Sequence, residues 1–161
     1  MRSGPVVIGY DGSSGSEHAV REAGALLGPG RSALVLVVWK AGLGFDLIEL
    51  PTASIGLPPA TLDVSAALEI DRKLAEHAQR MAQHGAALAG EAGFEAEGLA
   101  VADAPGASVA DTIVRVAGER DAAAVVVGAH AKGRLSEVLL GSTSSEVLRR
   151  ASWPVVVARE P

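Results

Sequence analysis

The stretch from Val125 to Ser145 decides the fold, and it reads VVVGAHAKGRLSEVLLGSTSS. Three β-branched residues end in Gly128, a pattern that is typical of a buried strand passing into a loop. Two basic residues follow, and Ser142 then stands as a candidate N-cap before a helix that contains Glu146. Backbone N–H groups, cations and a helix N-terminus therefore occur together, and these are the components of a phosphate-binding site.

The composition excludes several classes of protein. The chain has 161 residues, which suit one α/β domain, and its 48% of hydrophobic residues are too many for a disordered chain. The formal charge is -5 without a basic block, which argues against nucleic-acid binding, and no cysteine is present for disulfides or thiolate chemistry. No apolar run approaches the roughly 18 residues of a membrane span, and residues 1–5 lack a signal-peptide pattern. We therefore expect a cytoplasmic protein with no membrane partner.

Two buried strands and a helix are predicted in the first quarter of the chain. Val6–Tyr10 and Ala33–Trp39 are continuous apolar runs, which is the pattern of strands covered on both faces. Between them, Ser14 and Glu17 have the spacing of a capping box, so a helix is expected to begin there. Its apolar face is predicted to comprise Ala19, Val20, Ala23, Leu26 and Leu27. Gly28 and the proline after it are expected to end that helix.

A long loop and a long helix follow. Lys40–Leu62 is rich in glycine and proline, which predicts a loop with a short helical turn near Asp46–Leu50. Asp63 is expected to open the helix, which ends near Gly93. Its apolar stripe is predicted to comprise Ala67, Leu68, Leu74, Ala75, Ala78, Met81, Ala82, Leu88 and Ala89.

Three strands and two helices complete the chain. Glu95–Val101 mixes charged and apolar residues, which is typical of a strand near the edge of a sheet. Ser108 and Asp111 have the spacing of an N-cap and its N3 partner, before an apolar face of Val109, Ile113, Val116 and Ala117. The last elements are predicted as a strand at Ala123–Val127, a helix from about Thr143 to Ala151 and a strand at Val155–Ala158.

This alternation of buried strands with helices implies an α/β fold, an open parallel sheet of five strands with helices on both faces. No internal repeat and no linker interrupt the pattern. Residues 1–161 are therefore predicted to form a single domain.

The stretch from Val125 to Ser145 resembles the nucleotide loop of the universal stress protein family. That loop reads Gly, two residues, Gly, nine residues, then Gly followed by Ser or Thr. Gly128 matches the first position, and Gly141 matches the last, whereas position 131 holds Ala in place of the second glycine. The resemblance extends over nearly the whole chain. It implies a Rossmann-like fold, of the adenine nucleotide alpha hydrolase-like type, with the strand order 3-2-1-4-5.

A sheet of that order reverses its direction of winding between strands 1 and 4, and ligands bind at such a point, beyond the carboxyl ends of the strands. Asp11 follows strand 1, and the glycine-containing loop follows strand 4. Two stretches that lie far apart in sequence are therefore predicted to meet in space and to form one site.

The resemblance implies a role for each part of this site. The residue matching Asp11 would contact the adenosine, and the one matching Val38 would pack near the base. Gly128 and the loop amides would approach the phosphates, with charge neutralised by Lys132 and Arg134. The predicted nucleotide-binding residues are Gly9, Tyr10, Asp11, Val38, Val127, Gly128, His130, Ala131, Lys132, Gly133, Gly141, Ser142, Thr143 and Ser144.

Three of these positions also have simpler interpretations. Asp after a strand is often a turn or cap residue, as Asp11 would be by itself. Loop histidines such as His130 are more often plain surface residues. If position 131 requires a positive φ, the Cβ of Ala131 costs about 1 kcal/mol, which is roughly a fivefold loss of affinity.

The predicted function is that of a universal stress protein, a regulatory protein that binds ATP or another adenine nucleotide, accompanied by Mg²⁺, with little or no turnover. The resemblance implies a homodimer through the last strand, which comprises Val155, Val156, Val157 and Ala158; pairing would also protect that exposed edge from aggregation. Ala131 keeps an alternative open, a dimeric interaction module of the same fold that does not bind ATP.

Related enzymes carry motifs that this chain lacks. Asp11–Ser14 does not match the Ser-Gly-Gly-x-Asp-Ser loop of ATP pyrophosphatases or the His-x-x-His loop of class I nucleotidyl transferases. The acidic cluster of response regulators and the Gly-Lys-Ser/Thr of a P-loop are not evident either. No catalytic residue and no metal site are therefore predicted, although slow ATP hydrolysis stays open.

Overall fold

A single sheet of five parallel strands forms the centre of the computed structural model, which describes residues 3–49, 63–129 and 140–160. In chain order the strands are β1 (Val6–Gly9), β2 (Ser32–Trp39), β3 (Glu95–Ala102), β4 (Ala124–Gly128) and β5 (Val155–Ala158). Across the sheet their order is β3-β2-β1-β4-β5, which confirms the predicted Rossmann-like topology. Val6 of the central strand lies opposite Ala33 on one side and Ala124 on the other.

The described residues form helices on both faces of this sheet. The helices are α1 (Ser14–Leu27), α2 (Leu43–Glu49), α3 (Val64–Glu91), α4 (Val109–Glu119) and α5 (Ser142–Arg150). Buried residues of α1 and α3 share one core with Val6 and Ile8, and buried residues of α4 and α5 share a second core with Val7. None of the helices in the described ranges has the length and apolar character needed to cross a membrane.

The edge strand β3, which was predicted to be near an edge, is covered by α3. Gly98 makes this possible, because a Cβ at that position would clash with the carbonyl oxygen of Ala82. The Gln79 side chain donates to the Gly98 carbonyl at 3.4 Å and accepts from the Ala100 N–H at 3.3 Å. The side-chain amide therefore takes the place of a neighbouring strand along part of this edge.

Two of the predicted helix starts were wrong by one residue. Ser13, and not Ser14, is the N-cap of α1, and its Oγ accepts from the Ser16 N–H at 3.2 Å. Ser142 lies inside α5 and does not cap it; Gly141 is the cap residue, with no side-chain hydrogen bond. In contrast, Ser108 caps α4 in a complete capping box, as predicted.

The predicted turn near Asp46–Leu50 is in fact the two-turn helix α2, which begins earlier, at Leu43. The carboxylate of Asp71 on α3 accepts from the N–H groups of Gly42 at 2.7 Å and Gly44 at 3.1 Å. The start of α2 is thus capped by a residue that is distant in sequence. The rest of the predicted loop, residues 50–62, lies outside the described residues.

Three residues that were predicted to belong to apolar faces are exposed. Leu26 on α1 is 65% exposed. Leu68 on α3 is 57% exposed and Val109 on α4 is 43% exposed. Each lies at the margin of a helical face, where helical spacing alone does not decide burial. The remaining predicted residues of α4 do pack into the core, since Ile113, Val116 and Ala117 are all buried.

We expect Gly98→Ala to destabilise the protein and Gly90→Ala to stabilise it. The added Cβ at Gly98 meets the backbone of α3, and overpacking of this kind costs about 1–3 kcal/mol. Gly90 lies within α3 with open space around it, so alanine there gains about 0.5–1 kcal/mol of helix propensity. Urea unfolding of the matched pair measures both changes, and a Gly98→Ala variant as stable as the parent would contradict the close approach.

Candidate functional site

A cleft of about 250 Å³ opens at the carboxyl ends of β1, β2 and β4, where the winding of the sheet reverses between β1 and β4. Its walls come from the loop after β1, the ends of the three strands, and the first turns of α4 and α5. The lining residues are Gly9, Tyr10, Asp11, Ser13, Ser16, Leu36, Val38, Val109, Ile113, Val127, Gly128, Gly141, Ser142, Thr143 and Ser144.

Most of the residues predicted from the sequence meet in this cleft. Those that line it are Gly9, Tyr10, Asp11, Val38, Val127, Gly128, Gly141, Ser142, Thr143 and Ser144. The other predicted residues, His130, Ala131, Lys132 and Gly133, lie outside the described residues, as does Arg134. The loop after β1 and the start of α5 are thus brought together, although they lie more than a hundred residues apart.

Five lining residues were not predicted. Ser13 and Ser16 belong to the first turn of α1, and Leu36 precedes Val38 by two residues on β2, so strand alternation places both on the same face. Val109 and Ile113 come from α4. The α4 residues could have been identified from the predicted sheet order. In that order β3 lies next to β2, and α4 follows β3 in the chain, so α4 begins near the carboxyl end of β2.

The loop after β1 is held in one conformation by its own side chains. Asp11 Oδ1 accepts from the Ser13 N–H at 3.0 Å and from Ser13 Oγ at 2.5 Å, which closes a tight turn. The Oγ of Ser16 donates to the Ser13 carbonyl at 2.9 Å. Asp11 therefore does act as a turn residue, and the turn places it on the rim of the cleft.

Gly128 brings the end of β4 into contact with the start of α1. A Cβ at this position would lie 2.8 Å from the carbonyl oxygen of Gly15 and 3.3 Å from the nitrogen of Ser16. Contacts this short with backbone atoms would force the helix and the strand apart. Glycine at position 128 is thus required by the packing of the protein itself.

The N-terminus of α5 lines the cleft, and no side chain of the described residues caps it. Gly141 occupies the cap position, and the first turn of the helix contains no acidic residue. The Ser144 hydroxyl donates to the Gly141 carbonyl at 3.2 Å. The partial positive charge of this helix end is therefore directed at the cleft.

Part of the cleft wall is apolar. Leu36 and Ile113 are buried, Val38 is half-buried at the end of β2, and Val109 is exposed at the start of α4. A planar apolar group can pack against such a surface, while an anion can bind the helix end in the same cleft. The cleft thus combines the two surfaces that an elongated ligand with an apolar and an anionic end requires.

Tyr10 lies at the base of the β1 loop with its ring against α3. Its side chain is buried, and its hydroxyl has no hydrogen-bond partner within the part of the chain that the structure describes. The ring centroid lies 6.5 Å from that of His84. Burial raises the pKa of Tyr10, and the nearby carboxylates of Glu17 and Asp11 raise it further.

These features define a Rossmann-like α/β fold with a cleft at its topological switch point. A model of the universal stress protein family matches residues 56–159, and the chain belongs to that family. The family assignment made from the glycine-containing loop is therefore confirmed.

Relatives in sequence and structure agree with this assignment. The Universal stress protein Rv2005c of Mycobacterium tuberculosis is 31% identical over 156 residues, which are 97% of this chain and 45% of the relative. The chain thus spans about half the length of that relative. The structure of the hypothetical protein MJ0577, from Methanocaldococcus jannaschii, covers 100% of this chain and 99% of its own, with a TM-score of 0.69 and 21% identity. The universal stress protein from Archaeoglobus fulgidus, solved in complex with dAMP, covers 98% of both chains with a TM-score of 0.56 and 23% identity.

The pKa of Tyr10 is expected to be higher in the native protein than in the urea-unfolded protein. Because the folded pKa is raised above the unfolded value of 10.0, the contribution of this group to stability is complete below pH 10.0 and is lost as the pH rises through the folded pKa. Tyr10 is the only tyrosine, so ultraviolet absorbance of the tyrosinate reports on it alone. Equal midpoints in the native and unfolded protein would contradict the burial of the phenol.

Proposed function

We propose that this protein binds an adenine nucleotide in the cleft and acts as a regulatory protein, with little or no turnover of the nucleotide. The observation that carries the proposal is that the N-terminus of α5, which has no side-chain cap among the described residues, lines the same cleft as an apolar wall. The chain belongs to the universal stress protein family.

The apolar wall suits the base. Val38 at the end of β2 and Val109 at the start of α4 offer aliphatic surface on which a purine ring can be buried. Asp11 lines the same cleft, and its carboxylate suits contact with the hydroxyl groups of the sugar. Each of these assignments agrees with the role that the family resemblance implies.

The start of α5 suits the phosphates. N–H groups of a first helical turn bind phosphate oxygens without any cationic side chain, and the helix dipole favours the negative charge. Gly128 also lines the cleft. ATP would be accompanied by Mg²⁺, an ion that proteins commonly hold through substrate phosphates and water.

The adenine nucleotide is supported by a structural neighbour, since the universal stress protein from Archaeoglobus fulgidus was solved in complex with dAMP. Low turnover is supported by the state of Asp11, the carboxylate found on the described lining of the cleft. Its Oδ1 already accepts two hydrogen bonds from Ser13, which makes it a poor base for activating water. The cytoplasmic location stays a prediction from the sequence.

Ser142→Asp is expected to weaken the binding of ATP by about tenfold without destabilising the protein. Ser142 is the first residue of α5 and is exposed. An aspartate at this position stabilises a helix by about 0.3–1 kcal/mol, but its charge opposes a phosphate at the same helix end. Calorimetric titration of ATP with Mg²⁺ into the parent and the variant measures the difference.

Ser65→Asp is the matched control, because Ser65 is an exposed serine in the first turn of α3 and does not line the cleft. Equal affinity of the parent and Ser142→Asp would show that α5 does not bind the phosphates.

A third variant, Ala131→Gly, restores the glycine of the family loop. Binding by this variant alone would favour the interaction module that does not bind ATP, and binding by neither the parent nor Ala131→Gly would contradict the proposal.

A homodimer through β5 belongs to the same proposal. Within the described ranges β5 pairs with β4 alone, and its other side carries no strand. The carbonyl groups of Pro154 and Ala158 accept from β4, so by alternation the N–H groups of Val155 and Val157 point to the open side. A second copy of β5 can supply the partners that this edge lacks.

Val157→Pro is expected to convert the dimer into a folded monomer, because proline removes an outward N–H donor and leaves the bonds to β4 in place. Val157→Ala retains that N–H and serves as the control, with dimerisation expected to persist. Sedimentation at micromolar concentrations measures the state of association. A parent that is monomeric there, or a Val157→Pro variant that still dimerises, would contradict pairing through β5.

A further inference from the structure

A cluster of polar side chains joins the first turns of α4 and α5 beside the cleft. Ser108 Oγ lies 2.9 Å from Glu146 Oε2 and 3.0 Å from Asp111 Oδ2, and it accepts from the Asp111 N–H at 3.1 Å. Arg150 forms an ion pair with Asp111, and Arg149 lies 3.8 Å from Glu146. The two half-buried carboxylates are therefore each paired with an arginine of α5.

The cluster connects the two walls on which the proposed ligand rests. Ser108 is the N-cap of α4 and immediately precedes Val109, which lines the apolar wall. Glu146 lies on α5, directly after the turn that contains Ser142 and Ser144. The hydrogen bond between Ser108 and Glu146 thus joins α4, which carries part of the apolar wall, to α5, whose first turn lines the cleft.

Apolar packing alone holds α5 weakly. The helix has nine residues, of which only Ser144 and Val147 are buried. A single buried valine fixes the distance of a helix from the sheet but leaves its rotation and slide poorly determined. The polar contacts with α4 supply the missing constraint, because hydrogen bonds and ion pairs are directional.

We propose that Ser108 and Glu146, with the Asp111–Arg150 ion pair, are positioning residues that align the N-terminus of α5 with the cleft and so set the affinity for the phosphate part of the ligand. This inference rests on the proposed function, since it concerns the same cleft. It predicts an effect on phosphate recognition and none on recognition of the base and sugar.

The charge of Glu146 allows a positioning role to be distinguished from a purely electrostatic one. A carboxylate near a phosphate site opposes the anion, so a purely electrostatic role predicts tighter ATP binding when Glu146 is replaced by any neutral residue. A positioning role predicts that the outcome depends on the replacement. Glu146→Gln keeps an oxygen that accepts from Ser108, whereas Glu146→Ala removes it.

The experiment is a calorimetric titration of ATP with Mg²⁺, and separately of adenosine, into the parent, Glu146→Gln and Glu146→Ala. Glu146→Ala is expected to bind ATP about tenfold more weakly, which corresponds to about 1.4 kcal/mol, and adenosine as tightly as the parent does. Glu146→Gln is expected to bind ATP at least as tightly as the parent. Glu119→Ala is the control, because it removes a surface carboxylate of α4 that pairs with Arg115 and lies outside the cleft.

A second pair of variants tests the same link if Glu146→Ala does not fold. Arg150→Ala and Arg149→Ala remove the same charge from adjacent positions of α5, but only Arg150 contacts α4, through Asp111. Arg150→Ala is expected to weaken ATP binding several-fold more than Arg149→Ala does, with adenosine affinity equal in both.

Three results would overturn the inference. One is an equal gain in ATP affinity for both replacements of Glu146; another is an equal effect of the two arginine variants. The third is a parallel loss of ATP and adenosine affinity, which would indicate general destabilisation. A parent that binds neither ligand would overturn the proposed function itself, and is thereby distinguished from these three results.

Discussion

The contact between Gly128 and the backbone of Gly15 is the constraint on which the cleft depends. Because Gly128 has no side chain, the first turn of α1 packs directly onto the end of β4. This packing holds the start of α1 against the sheet at the switch point, and the Asp11–Ser13 turn that leads into α1 lies at the rim of the cleft. The missing side chain therefore sets how closely the start of α1 approaches the end of β4, and both of these segments line the cleft.

The helices around the cleft are held by different forces. α4 buries Ile113, Val116 and Ala117 in a continuous apolar face, so its position follows from the hydrophobic effect. α5 buries much less and is joined to α4 by the polar contacts of Ser108 and Glu146. Hydrogen bonds to charged groups contribute about 1.5–3 kcal/mol each and fix orientation, which is what a helix that presents its N–H groups to a ligand needs.

Local patterns in the sequence were sufficient to predict the strands and the long helices, but not the contacts between these elements. Continuous apolar runs identified the buried strands, because burial on both faces leaves no polar position, while the sheet order came from the family resemblance. The cap of α2 is Asp71, which lies 29 residues from Gly42, and Glu146 lies 38 residues from Ser108. No spacing rule connects such pairs, since only the folded chain brings them together. The position of the cleft followed from the predicted sheet order, and its α4 residues were missed although that order already placed the start of α4 near the end of β2.

The N-terminus of α5 differs in one respect from those of α1, α3 and α4. α1, α3 and α4 each begin with a side chain that accepts from the first turn, whereas α5 begins at Gly141 without one. Uncapped N–H groups lower the stability of a helix unless water or a ligand satisfies them. A capping serine or aspartate at position 141 would satisfy those groups internally and would compete with an anion for them. The lack of a side-chain cap among the described residues therefore lowers the stability of this helix end and leaves its N–H groups available to a ligand, and the polar contacts with α4 keep the end in place.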